Sequence, residues 1–213
     1  MTRTWRTLTV WLHVLTSVTW MAQAMTMCLL LCVAFATTDP SVAHAAMSMS
    51  LKVDGRLVGP MADASAFTGF MLAAATPWGF FRHWWVAVKF TITVVQLYIG
   101  IFLLSPALAH AATAGPTPLQ ITGTVLMASA IAFQAWLSLA KPWGRIRAAR
   151  PAPTAPRWIF VVAVAGTVVD LAVAFWAGHP MPLLCLTLLT VTLLRRPSWI
   201  RTPRRTPAPT TPV

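Results

Sequence analysis

Glutamate and asparagine are absent from this 213-residue chain, tyrosine occurs once, and the only acidic residues are four aspartates. Charged residues make up 9% of the chain, against roughly 25% in an ordinary soluble domain. With 57% hydrophobic residues and a mean hydropathy of +0.70, that shortage excludes both a soluble globular fold and intrinsic disorder. Cysteine is scarce as well. Cys28, Cys32 and Cys185 all fall inside apolar runs, which excludes a disulfide-stapled scaffold and suits small buried hydrophobes. The chain also lacks a phosphate loop, a metal-ligand spacing, a nucleophile elbow and a protease signature.

What is abundant is apolar length and positive charge. A spanning helix needs about 20 mostly apolar residues, and six segments qualify or nearly so: residues 8–37, 57–77, 84–104, 119–140, 158–178 and the shorter 181–194. The fold expected is all-α, a polytopic membrane helix bundle of about six transmembrane helices, or five if the last does not cross. Residues 1–196 form the bundle domain and residues 197–213, rich in Pro, Arg and Thr, a disordered cytoplasmic tail. The first segment is too long for a secretory signal, contains His13 and Gln23, and offers no cleavage site before Asp39.

Sixteen Lys and Arg against four Asp give a net charge of +12. Basic charge of this size can mark a nucleic-acid binder, but here no basic run lies on a nucleic-acid module; the cations flank apolar segments. With six spans and a cytoplasmic N-terminus, fourteen cations fall inside and only Lys52 and Arg56 outside. By the positive-inside rule, both termini are then cytoplasmic and membrane lipids are the expected partners. Arginine exceeds lysine thirteen to three, a codon bias of G+C-rich genomes that points to a bacterial cytoplasmic membrane. Asp39-Pro40 reads as a helix start, Asp capping and Pro at the first position, opening a short surface helix over residues 41–53. Residues 148–156, with three prolines, read as a cytoplasmic linker.

Polar residues at helical spacing mark faces turned away from lipid. His13, Thr16, Ser17, Trp20 and Gln23 share one side of the first span; Lys89, Thr93, Gln96 and Gly100 share one side of the third. Gln134 and Ser138 lie four apart in the fourth, and Gly166, Thr167 and Asp170 group in the fifth. Such faces either hold a bundle together or line a polar interior. Asp170 stands out, about two residues past the middle of its span and so ~3 Å from the midplane. A carboxylate at that depth is costly and is a functional candidate by default. Asp63, in the outer part of the second span, is placed to face it. Most of the eleven tryptophans fit an interfacial belt, but Trp20 and Trp176, with Phe175, are expected to line a pocket around Asp170.

Two stretches carry a resemblance. Trp11-Leu12-His13-Val14-Leu15 opens the first span, and Thr76-Pro77-Trp78-Gly79-Phe80-Phe81-Arg82-His83-Trp84-Trp85-Val86 joins the second to the third. Together with Lys141-Pro142-Trp143-Gly144 after the fourth span, they resemble a family of uncharacterised bacterial integral membrane proteins. These pair an early Leu-His segment with a Trp-Gly-Leu-Phe-Arg-His hairpin. Where such members have small residues after the first-span Trp, this chain has Met21-Ala22-Gln23. The resemblance implies membership and topology, and no activity.

These residues lead to one expected activity and two alternatives. The expected activity is acid-initiated cyclisation or isomerisation of a lipophilic prenyl or terpenoid substrate, as in membrane terpene cyclases. Asp170 would be the proton donor and Asp63 a second acid or base. Trp20, Gln23, Gln96, Phe175 and Trp176 would bind the substrate, with no cofactor and no metal. The first alternative is a haem- or copper-binding subunit using His13, His83 or the outer His44, Met47, Met49, His110, His179 and Met181. The second is a non-catalytic structural or accessory membrane protein.

Overall fold

The computed structural model describes residues 2–146 and 154–200. The tail beyond residue 200 and most of the expected linker lie outside the described residues, and with them Arg147, Arg150, Arg201, Arg204 and Arg205. The described residues form eight α-helices and no strand: α1 (Thr2–Ala36), α2 (Pro40–Val53), α3 (Gly59–Ala75), α4 (Trp84–Ile99), α5 (Ser105–Ala114), α6 (Pro118–Ala140), α7 (Arg157–Ala177) and α8 (Leu183–Ile200). Five continuous helical stretches are long and apolar enough to cross a membrane, and a shorter apolar helix covers Leu183–Arg195. The last helix reaches Ile200, four residues into the expected tail.

Two expectations need correction. Residues 41–53 do not form a separate surface helix. They belong to α2, which continues through a π-turn at Asp54–Val58 into α3 as one 36-residue stretch, Pro40–Ala75. Likewise the third expected span, residues 84–104, does not stop at Leu104: α4 passes through a π-turn at Gly100–Leu104 into α5, giving Trp84–Ala114. The physical reason is the same at both places. A proline inside a helix lacks an N–H and clashes with the carbonyl four residues earlier. Here each π-turn immediately precedes such a proline, Pro60 or Pro106, and widens the ladder: Gly59 N–H donates to the Asp54 carbonyl, and Ser105 N–H to that of Gly100. The Ser105 hydroxyl then donates to Asp54 Oδ2 at 2.6 Å, tying the two turns together.

At 1.5 Å per residue, α7 (21 residues) is about 32 Å long and matches a hydrocarbon core of about 30 Å. The Pro40–Ala75 stretch is about 54 Å and α1 (35 residues) about 52 Å. The excess lies at one end. Gly178, just past α7, sits against Arg56: a Cβ there would lie 3.4 Å from its guanidinium. So α2 rises above the level at which α7 stops. It packs there on the end of α1 and on α5, with Leu31, Ala46, Met47, Leu108 and Ala111 forming a small core of their own. Asp39 caps α2 as expected, its Oδ1 accepting from the Ser41 backbone N–H (2.8 Å) and hydroxyl (2.7 Å). The Ser41 hydroxyl and then its N–H hold the Asp39 carboxyl below its ordinary range.

At the opposite end, residues 76–83 form the turn between α3 and α4, with Gly79 in the left-handed region at φ +61°. The turn is fixed from outside. Ile146 N–H donates to the Arg82 carbonyl and Ala155 N–H to that of Ala75, each at 2.9 Å. Beneath it, Phe67, Met71, Ile159, Phe160 and Ala163 form the largest core cluster, between α3 and α7.

Candidate functional site

Asp170 and Asp63 do come together. Both line a small cleft with Thr167, Ala174, Pro182 and Cys185. The cleft is about 10 Å³, room for a single water at most. Asp170 is buried, and its carboxylate is occupied: Oδ2 accepts from Cys185 N–H at 2.7 Å and Oδ1 from Leu184 N–H at 3.3 Å. These are the second and third backbone donors of α8, groups with no partner inside their own helix.

The local sequence explains why a helix starts there. Asp170 is seven residues before the end of α7, so α8 begins roughly 10 Å below that end. The chain must therefore re-enter the bundle over residues 178–182 without secondary structure. Pro180 and Pro182 lack N–H groups and so need fewer partners, and Gly59 leaves room for Pro180, whose Cγ a Cβ placed there would strike. Gly166 similarly admits Leu188 of α8. Asp170 is the acceptor that makes this buried helix start possible.

The expected substrate-binding residues do not surround this cleft. Trp176 is 90% exposed and Phe175 is also exposed, both on the periphery of α7. Successive helical residues advance by 100°, so Phe175 and Trp176 lie about 140° and 120° from Asp170; helical periodicity alone could have excluded them. Trp20 is buried with Ala62 and Ile131. Gln23 is buried with its Oε1 unpartnered. Gln96 belongs to a ladder joining α4 to α6: Thr93 Oγ1 donates to Gln134 Oε1 (2.9 Å), Gln134 Nε2 to Gln96 Oε1 (2.6 Å), and Gln96 Nε2 to the Met127 carbonyl (3.1 Å).

A much larger cavity, about 430 Å³, lies elsewhere, among α1, α3, α4 and α6. It exists because α4 leans on the bundle through α6 and α3 and leaves a gap beside α1. Val14 and Val18 line that gap and are each 54% exposed, so the cavity opens at the surface of the bundle beside α1. Phe80 and Trp78, from the turn at residues 76–83, line it too. Phe70, Phe80 and Phe90 make mutual ring contacts, with centroids 5.1 Å apart for Phe80–Phe90 and 5.2 Å for Phe70–Phe90.

The cavity's polar side chains include two cations, Lys89 and, at the end of α6, Lys141, and several of the others are paired with one another or with main chain. His13 Nδ1 lies 3.0 Å from the Ser65 carbonyl and 3.1 Å from Thr68 Oγ1. A carbonyl only accepts, and the Thr68 hydroxyl already donates to the Ala64 carbonyl at 2.7 Å. Nδ1 must therefore carry a proton, and in the neutral imidazole Nε2 is left as an acceptor. Gly69 gives the ring its seat, since a Cβ there would approach His13 Cε1 to 2.9 Å. Ser17 and Ser65 hydroxyls pair at 2.7 Å beside it. From α4 the Lys89 ammonium donates to Ser138 Oγ at 2.6 Å, and that hydroxyl passes its own proton to the Gln134 carbonyl at 3.1 Å. No carboxylate pairs with Lys89 among the described residues, and all four aspartates lie outside the cavity lining.

The sequence shows the polar stripes of α1 and α4 but gives no sign of Ser65, Thr68 and Gly69. These sit on α3, where Ala, Gly, Ser and Thr leave no apolar stripe to read. As for metals, no group of three or more His, Cys, Asp or Glu suited to hold an ion occurs among the described residues. His83 Nδ1 is engaged by the Trp78 carbonyl at 3.0 Å, and Met47 is buried in the small core between α1, α2 and α5. Comparisons with protein-family profiles, with curated proteins and with solved structures give no match.

Proposed function

We propose that the protein binds a membrane-dissolved lipophile with a polar, hydrogen-bond-accepting head, admitted between α1 and α4 into the His13–Lys89 cavity. One observation carries this reading: within an aromatic-walled cavity, Lys89 makes a single hydrogen bond and has no counter-charge among the described residues. Lys89 stands about 8 Å past the start of α4, and a cation held there against apolar walls is costly unless something satisfies it; a ligand head would do so. On this reading the chain sits in a bacterial cytoplasmic membrane with both termini inside, as its cation partition suggests. Membership of the membrane family that its hairpin resembles belongs to the same proposal. The test is mass spectrometry of lipids retained by protein purified in mild detergent. The wild type retains one lipid class in stoichiometric amount, and Lys89→Met loses it while keeping its thermal stability. Equal retention by both proteins, or none by the wild type, contradicts the reading.

A second reading is favoured by the two carboxylates at one cleft: acid-initiated cyclisation of a prenyl or terpenoid substrate by Asp170 and Asp63. It requires the cleft to open from about 10 Å³ and Asp170 to exchange its backbone partners for substrate. A stably folded Asp170→Asn protein that had lost turnover of polyprenyl epoxides would support it.

A further inference from the structure

We infer that the head bound in the His13–Lys89 cavity is a ring bearing hydroxyl groups, a phenol or hydroquinone carrying a prenyl-type tail; this rests on the lipophile-binding reading above. The argument is one of hydrogen-bond polarity. His13 Nδ1 is committed as a donor to Ser65 and Thr68, so Nε2 offers the cavity a lone pair and asks for a donor. Lys89 spends one N–H on Ser138 and offers the others, asking for an acceptor. The head must therefore supply both polarities. Hydroxyl groups do this, one giving its proton to Nε2 while an oxygen of the head takes one from the ammonium. A quinone or an ether can answer Lys89 but not His13. A quaternary ammonium head would be repelled by Lys89.

The walls favour a ring over an aliphatic alcohol. Phe90 packs edge-on to Phe70 at 5.2 Å and to Phe80 at 5.1 Å, Phe70 and Phe80 lie 6.2 Å apart, and Trp78 stands edge-on to Trp85 at 5.7 Å. Aromatic side chains in these offset and T-shaped arrangements accept a further ring in the same geometry. Size agrees: a dry cavity of ~150 Å³ admits benzene, and the present one is about 430 Å³. That holds a substituted ring and the first part of its tail, the rest leaving through the gap lined by Val14 and Val18.

The test uses the full-length protein in lipid nanodiscs and three probes sharing one short diprenyl tail. These are the hydroquinone (held reduced under anaerobic conditions), its dimethyl ether, and the prenyl phosphate. Binding is followed by displacement of a bound fluorescent fatty probe. The hydroquinone should bind about tenfold more tightly than its dimethyl ether, the difference expected for a lost hydrogen bond. That preference should vanish in His13→Phe; if this variant does not fold, the comparison of ligands on the wild type still decides. Equal affinity for hydroquinone and ether overturns the inference. So does tight binding of the phosphate with none of the hydroquinone, although the lipophile-binding reading would then stand. Failure of all three to displace the probe overturns both.

Discussion

Replacing Asp170 tests whether its carboxylate holds the start of α8. In Asp170→Ala two backbone donors lose their acceptor, those of Cys185 at 2.7 Å and Leu184 at 3.3 Å. Loss of an N-terminal cap costs ~0.5–2 kcal/mol, and a buried donor left without a partner costs ~1–3 kcal/mol. The short bond to Cys185 dominates, because that residue is buried, while the longer bond to Leu184 adds less. These are two measures of one loss, so the cost is about 1–3 kcal/mol. At ~2–4 °C per kcal/mol for a chain of this size, the midpoint should fall by about 2–12 °C. Asp170→Asn keeps one carbonyl oxygen for Cys185 but turns an NH₂ toward the other donor, and should lose about half as much. Two assays apply: thermal unfolding in detergent, and maleimide labelling of Cys185 in a Cys28→Ser/Cys32→Ser background. Cys185 is 3% exposed, so its labelling should accelerate in the Ala variant as α8 frays from its start. If Asp170→Ala melts within a degree of the wild type with Cys185 still protected, the cap argument is refuted and Asp170 is free for other chemistry.

Other substitutions report on the cavity and its surroundings. Gly69→Ala should push the His13 ring off Ser65 and Thr68, costing ~1–3 kcal/mol by overpacking and abolishing ligand retention; unchanged retention would show that the ring's seat is not required. Brominated lipids should quench Trp176, which is 90% exposed, far more than buried Trp20, in single-tryptophan proteins. Equal quenching would contradict the orientation of α7. Gly166→Val should separate α8 from α7, because a Cβ alone would meet Leu188 Cδ1 at 2.6 Å, and the midpoint should fall with Cys185 becoming reactive. Retained stability would show that α8 docks elsewhere.

The elements legible in the sequence are those whose signal is local. Apolar length marks the spans, Asp39-Pro40 marks the start of α2, and the i, i+4, i+7 stripe of Lys89, Thr93 and Gln96 marks the inward face of α4. The continuity of α2 with α3 and of α4 with α5 is not legible, because Pro60 and Pro106 ordinarily signal a break and only the π-turns before them remove the clash. Asp170 is conspicuous in the sequence, but its partners are main-chain groups of Leu184 and Cys185, which no side-chain pattern announces. The cavity is hardest to foresee. It arises where α4 stands away from α1, a property of how four helices pack rather than of any one helix. Its two polar poles, His13 and Lys89, are visible in the stripes; that they share one space is not.

The most direct test of lateral admission to the His13–Lys89 cavity is photoaffinity labelling with a prenyl-chain diazirine in nanodiscs, followed by peptide mapping. Labels are predicted on α1 and α4 around Val14, Val18 and Phe90, and should be lost in Lys89→Met. Labels concentrated instead on α7 and α8 around Asp170 and Cys185, and indifferent to Lys89, would contradict it.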